Sequence, residues 1–355
     1  MALTLALMAT GAEADVWNAG TCVQRQMNAL GYGPLVVDGR IGPATRAALA
    51  RYEAVAGVLP ARPLKAGTAI IHCRKLGLRH PAARRVWPVQ TDTGEEPFQV
   101  ATEAGMPGSF GGMIRNTLVV TLKFLKDDVK VEMAAPFVIA LGQDRHALAA
   151  LTEAYLPQGY TRSGTAYDLI QTCAGPRLRG LAYPGLILLC VPKDENRPKS
   201  QVFEDIRWVA SHELVHEVQW QLTGLASVWN DRTILAERGP DWLIEGTADA
   251  LSNRGMTLDD ALWYQRQAQD LPKDASRDLS KLELFAAGRK AKERLYVLGA
   301  GAASQLALRN SGLPGLMAFY DRLGEGVVWT DAFSQTFGIT PDVFHARWKI
   351  LSRPR

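Results

Sequence analysis

The sequence predicts an α+β chain in two units, a small helical N-terminal unit and a larger, mostly helical one built around a short β-sheet. Three observations carry this. Apolar residues recur at helical spacing through Phe203–Leu222, where Ile206, Val209, Ala210, Leu214, Val218 and Leu222 make one stripe. Two short apolar runs, Pro136–Leu141 and Leu186–Val191, precede that helix and read as buried strands. A stretch rich in Pro, Arg and Thr from about Gly77 to Pro97 separates the first unit from the second.

The elements run in order along the chain. Residues 1–14 are a short apolar run ending in Ala12-Glu13-Ala14, the h-region and cleavage site of a secretory signal without its basic n-region. Residues 15–76 form the first unit, in which Asp38-Gly39 is a turn and Gly42-Pro43 opens a helix packed by Ala47, Ala48, Leu49 and Tyr52. Residues 77–97 are the linker and 98–355 the second unit. There Phe110–Lys126 reads as an amphipathic helix and Asp144–Tyr155 as another. After the Phe203–Leu222 helix, Gly239-Pro240-Asp241 starts a further helix that ends near Gly255. Beyond it the chain is almost wholly helical, with starts at Thr257-Leu258-Asp259-Asp260 and Thr340-Pro341-Asp342, and breaks at Gly312-Leu313-Pro314-Gly315 and Gly324-Glu325-Gly326.

Composition narrows the possibilities. The chain has 355 residues, 47% of them hydrophobic, enough for one large core or two to three smaller ones. A net charge of +4 without a long basic run gives no sign of a nucleic-acid partner. Past the N-terminus no apolar run reaches the length of a membrane span, so the mature chain is not membrane-spanning. The four cysteines, Cys22, Cys73, Cys173 and Cys190, allow three connectivities. Pairing Cys22 with Cys73 and Cys173 with Cys190 keeps each bridge within one predicted unit and suits an exported protein. None has Cys-x-x-Cys spacing, which leaves a zinc ribbon without support.

The chemistry concentrates in His212-Glu213-Leu214-Val215-His216. On a helix, positions i and i+4 share a face about 40° apart, so His212 and His216 can offer two imidazole nitrogens to one cation. Glu213 falls beside that position, suited to taking a proton from an activated water. Downstream, Trp242-Leu243-Ile244-Glu245-Gly246-Thr247-Ala248-Asp249 sets Glu245 and Asp249 among Trp242, Leu243, Ile244, Ala248 and Leu251, where an unpaired carboxylate is costly and a metal relieves the cost. His72, His80, His146 and His345 have no motif spacing and read as solvated or structural. Glu217, next to His216, reads as ordinary surface on the side away from the metal.

These two motifs together resemble the gluzincin metallopeptidases, the thermolysin-like and aminopeptidase-N-like group, whose third zinc ligand is a glutamate in a Glu-x-x-x-Asp pattern on the following helix. The resemblance implies one Zn2+ on His212, His216 and Glu245, with Asp249 accepting the free ring N–H of a ligating histidine, His212. It implies Glu213 as general base and Tyr296, in Leu295-Tyr296-Val297-Leu298-Gly299, as the hydroxyl that steadies an oxyanion. The wording around Glu245 is also typical of small bacterial peptidases of this kind. The Gly-x-Met-Glu-Asn signature of the aminopeptidases is missing; Gly112-Met113-Ile114-Arg115-Asn116 lacks its glutamate and lies far upstream, and the expectation is an endopeptidase. The resemblance further implies that the Leu186–Val191 strand edges the cleft, where an extended substrate pairs with it.

The first unit resembles the peptidoglycan-binding repeat of cell-wall hydrolases, a three-helix fold. Cys22-Val23-Gln24-Arg25-Gln26-Met27-Asn28-Ala29-Leu30-Gly31-Tyr32 and Val37-Asp38-Gly39-Arg40-Ile41-Gly42-Pro43-Ala44-Thr45-Arg46-Ala47-Ala48-Leu49 match its pattern. The two resemblances and the signal-like N-terminus imply an exported zinc peptidase of the periplasm or cell wall, with a peptide or protein substrate and peptidoglycan as a partner. The alternative is a non-catalytic, peptidoglycan-binding envelope protein in which the zincin fold is structural. An intact Glu213 weighs against the alternative, because a degenerate site is free to lose it.

Overall fold

The computed structural model describes residues 19–56, 63–65, 69, 72–73, 76, 97–133, 137–155, 173, 178–183, 185–191, 198–223, 235–252, 258–273, 275–284 and 289–354. The expected signal segment 1–14 and nearly all of the expected linker lie outside them.

In the N-terminal region, α1 (Ala19–Ala29) and α2 (Pro43–Ala56) enclose their own core of Cys22, Val23, Met27, Ala48, Leu49, Tyr52, Leu64, Ala69, Cys73 and Leu76. Pro43 begins α2, where a missing N–H costs nothing. The letters that carry the repeat resemblance are occupied internally. The Gln24 amide donates to Asp38 Oδ1 (2.8 Å) and Arg40 O (3.0 Å) and accepts from Gly39 N–H (2.8 Å), while Asn28 clamps both backbone groups of Leu35. Gly39 takes φ +74°, which a side chain disfavours. Cys22 is bonded to Cys73 across a separation of 51 residues. Closing a loop of that length stabilises a small unit by about 4 kcal/mol on the chain-entropy account. Reduction is therefore expected to melt the N-terminal unit first, seen as early hydrogen exchange in α1 and α2; equal protection before and after reduction would refute it.

The second region runs β1 (Phe98–Thr102), α3 (Gly108–Asp127), β2 (Phe137–Gly142), α4 (Arg145–Tyr155), β3 (Arg179–Tyr183), β4 (Leu186–Cys190), α5 (Lys199–Thr223), α6 (Leu235–Arg238), α7 (Asp241–Ser252), α8 (Leu258–Asp270), α9 (Arg289–Leu306), α10 (Gly312–Gly324), α11 (Trp329–Phe337) and α12 (Pro341–Leu351). The mixed helix-and-sheet class is as the sequence predicts. The four-stranded sheet has the order β1-β2-β4-β3, with β1, β2 and β4 parallel and β3 antiparallel to β4. Alternation sorts its residues cleanly. Phe137, Ile139, Leu141, Ile187 and Leu189 face the main core with α3 and α5, while Ala140, Leu186, Leu188 and Cys190 join Leu148 of α4 in a second cluster. Both faces are covered, which is why β4 reads as a continuous apolar run. Cys173 is bonded to Cys190 at the end of this strand, as expected.

One expectation needs correcting. β4 lies inside the sheet, and the edges belong to β1 and β3, neither of which the sequence predicts. Gly312, at φ +71°, breaks the helical run where the sequence predicts it, ending the turn that follows α9 and opening α10, and Thr340 caps α12 by accepting from Val343 N–H, as its place at a helix start implies.

Candidate functional site

Both helices that carry the site run through the interior. From Ala210 to Thr223 every residue of α5 is buried, and so is all of α7. Polar side chains on such helices must find partners or pay for desolvation. α7 is fixed at its start, where buried Arg238 pairs with buried Asp241 and Asp241 N–H donates to Glu283 O at 3.0 Å.

The two motifs meet. His212 Nε2 and His216 Nε2 are 3.0 Å apart, with the imidazole planes at 83°, and the fully buried Glu245 carboxylate sends one oxygen to each at 3.2 Å. A tetrahedral zinc with spokes of 2.0–2.1 Å separates its ligand atoms by about 3.3–3.4 Å, close to these edges. Among the described residues, His212, His216 and Glu245 form the group able to hold a metal ion. Outward, His212 Nδ1 meets Asp249 Oδ1 at 2.9 Å, and His216 Nδ1 meets Gln219 Oε1 at 2.8 Å.

The charges are mutually dependent. Burial alone would push the Glu245 carboxyl up, but attraction to His216 and His212 holds it well below the usual carboxylate range. Burial lowers both rings, and the carboxylates overcome it: Asp249 and Glu245 hold His212 well above its ordinary value, and Glu245 raises His216. Asp249 is itself raised by burial, only partly offset by His212.

Tyr296, on α9, comes to the same place, its ring centroid 5.9 Å from that of His212. Burial first, then the negative charges of Glu245, Glu213 and Asp249, hold its hydroxyl protonated far above the usual range, leaving a neutral donor. Glu213 lies against β3: a Cβ added at Gly180 would stand 2.5 Å from Glu213 Cγ and Oε1. Trp208, one turn before His212 and 41% exposed, lays its ring 5.6 Å from the imidazole.

Three participants escaped the sequence reading. Gly180 sits on a strand that was not recognised, and Gln219, one turn past His216, could have been found by asking which polar residue at i+3 serves that ring. The third corrects an expectation. Glu217 is fully buried, both its oxygens accept from Gly185 N–H at 3.1 Å in the turn joining β3 to β4, and Gln221 donates to it at 2.8 Å. Burial pushes its carboxyl up to about 8, against those hydrogen bonds. It fastens the edge hairpin to the helix of the histidines. His72 and His345 are buried and His146 is exposed, consistent with structural or solvated roles.

No protein-family model, curated protein or solved structure gives a match to this chain. What the fold and site define is an α+β protein with two disulfides, a buried His-His-carboxylate group able to hold a metal ion, and no helix among the described residues long and apolar enough to cross a membrane.

Proposed function

We propose that this chain is an exported zinc-dependent peptidase of the gluzincin type, acting in the cell envelope. The observation that carries the reading is the convergence of two imidazole Nε2 atoms and one carboxylate at 3.0–3.2 Å, with a second carboxylate and a tyrosine hydroxyl beside them. Two imidazoles and a carboxylate are a donor set that suits zinc and leaves a fourth position open. When bound, the ion supplies a Lewis acid for the scissile carbonyl and lowers the pKa of water. Glu213 takes the proton of the attacking water and passes it to the leaving amine nitrogen. Tyr296 donates to the oxygen of the former carbonyl as charge develops on it. Asp249 keeps His212 in one orientation and strengthens it as a donor. Export is supported by both disulfides, which suit an oxidising compartment.

The fit to zinc makes a pH-dependent prediction. The folded-state pKa values of His212 and His216 are raised, so in chelator-treated protein their contribution to stability is fully present below about pH 6.5 and is lost as pH rises through the raised values. Zinc competes with protons for the same lone pairs, so its stabilisation grows with pH. Melting curves with and without zinc should diverge from about pH 6 to 9, by about 4 kcal/mol once free zinc is a thousandfold above its Kd. A gap that narrows with pH would mean that the histidines are not the ligands.

The resemblance of the N-terminal unit to the peptidoglycan-binding repeat supports peptidoglycan as the partner we propose, with stem peptides or envelope proteins as substrates. Zinc-loaded protein is to be incubated separately with sacculi and with unfolded protein, and the released fragments read by mass spectrometry. Cleaved stem peptides or cross-links assign the wall, and fragments of protein alone assign a protease. No release from either, or protein without stoichiometric zinc, overturns the proposal.

A further inference from the structure

Gln219 is 3% exposed and uses both ends of its amide. Its Nε2 donates to the backbone oxygen of Ile244 at 3.0 Å, and its Oε1 lies 2.8 Å from His216 Nδ1. A backbone carbonyl can only accept, so the NH2 end must face Ile244 and the oxygen must face the ring. An amide oxygen can only accept in turn, so His216 Nδ1 carries a proton both in the charged ring that faces the Glu245 carboxylate and in the neutral ring whose Nε2 lone pair goes to a cation. Ile244 immediately precedes Glu245 in α7, so the same side chain ties the helix bearing the histidines to the helix bearing the carboxylate. Tyr320, whose hydroxyl donates to Leu243 O at 3.0 Å, holds the adjoining turn of α7.

We infer that Gln219 is the positioning residue for His216: its amide, anchored on the Ile244 carbonyl, selects the Nδ1–H tautomer and sets the spacing between His216 and Glu245. The inference rests on the metal-site reading for its consequence, and on the hydrogen bonds alone for the tautomer. The two rings are consequently unequal. His212 is backed by the carboxylate of Asp249 and His216 by a neutral dipole, which makes His212 the stronger donor to a cation.

Two variants of the full chain test it. Gln219→Met keeps length and bulk but cannot donate and accepts only weakly through sulfur, whereas Gln219→Glu keeps an acceptor for Nδ1–H and loses the donor to Ile244. Zinc affinity is read by competition with a chromogenic chelator, and the tautomer from the imidazole 15N spectrum at a pH above the ring's pKa, with thermal melts reporting the fold. Gln219→Met is expected to lose about 10–100-fold in zinc affinity and to populate both neutral tautomers of His216. Gln219→Glu is expected to keep the Nδ1–H tautomer and to lose less affinity. Wild-type affinity together with an unchanged tautomer in Gln219→Met overturns the inference. Should that variant not fold, loss of the Nδ1–H tautomer in Gln219→Glu overturns it instead. Failure of the wild-type protein to bind zinc defeats the metal reading, and the 15N spectrum then still decides whether Gln219 sets the tautomer.

Discussion

Glu213→Gln is expected to bind zinc with near-wild-type affinity and to lose at least about 10²–10⁴-fold in peptide hydrolysis, the usual worth of a general base. The amide matches the carboxylate in shape but cannot take a proton. Because Glu213 is not among the three converging ligand residues, its replacement leaves His212, His216 and Glu245 in place. Steady-state kinetics beside a zinc titration separate the two quantities; hydrolysis that survives with zinc bound removes Glu213 from the mechanism. Gly180 gives a graded companion. A methyl there stands 2.5 Å from Glu213 Oε1 and 2.7 Å from Val209 Cγ1, and the carboxylate is the mobile partner, so Gly180→Ala should displace the base and lower kcat with zinc affinity retained. Equal losses in both quantities would mean instead that β3 itself had moved.

The sequence was most legible where a pattern was long or chemically peculiar. The helix over Phe203–Leu222 and the strands at Pro136–Leu141 and Leu186–Val191 were read nearly to their ends, observed at Lys199–Thr223, Phe137–Gly142 and Leu186–Cys190. The histidine spacing and the isolated carboxylates in an apolar stretch named the residues that meet. β1 and β3 were missed because polar Gln99 interrupts one and Gly180 the other, whereas β4, of the same length, is apolar throughout. A glycine in a strand reads as a break, when here it is the space a neighbouring carboxylate occupies. Glu217 was misjudged for a related reason. Periodicity assumes that a helix has a wet face, but α5 is enclosed on all sides over its second half, so its polar residues serve the interior. Gln219 and Glu217 look like surface letters and act as cross-links to α7 and to the β3–β4 turn.

The enclosure of α7 also locates a single methyl group that the core has no room for. A Cβ at Gly246 would stand 2.1 Å from the carbonyl oxygen of Gly299 and 2.8 Å from its Cα, and one at Gly299 would stand 2.4 Å from Trp242 O. These are backbone atoms on both sides, so no rotamer relieves the clash and α7 and α9 must separate. Overpacking usually costs about 1–3 kcal/mol, and a backbone-to-backbone collision between two buried helices belongs at or beyond the upper end. Gly246→Ala is therefore expected to destabilise by about 3 kcal/mol or more in denaturant unfolding, whereas Gly112→Ala, exposed on α3 with nothing within 4 Å, should gain up to about 1 kcal/mol from helix propensity. The effect reaches the site because Gly246 follows Glu245 and Gly299 lies one turn beyond Tyr296. The crossing that lets these helices touch is what brings the carboxylate of one and the hydroxyl of the other to the same histidines. Folded Gly246→Ala protein should consequently bind zinc more weakly than wild type. If it is destabilised yet binds zinc unchanged, the crossing serves the core alone and the site is held in place by α5.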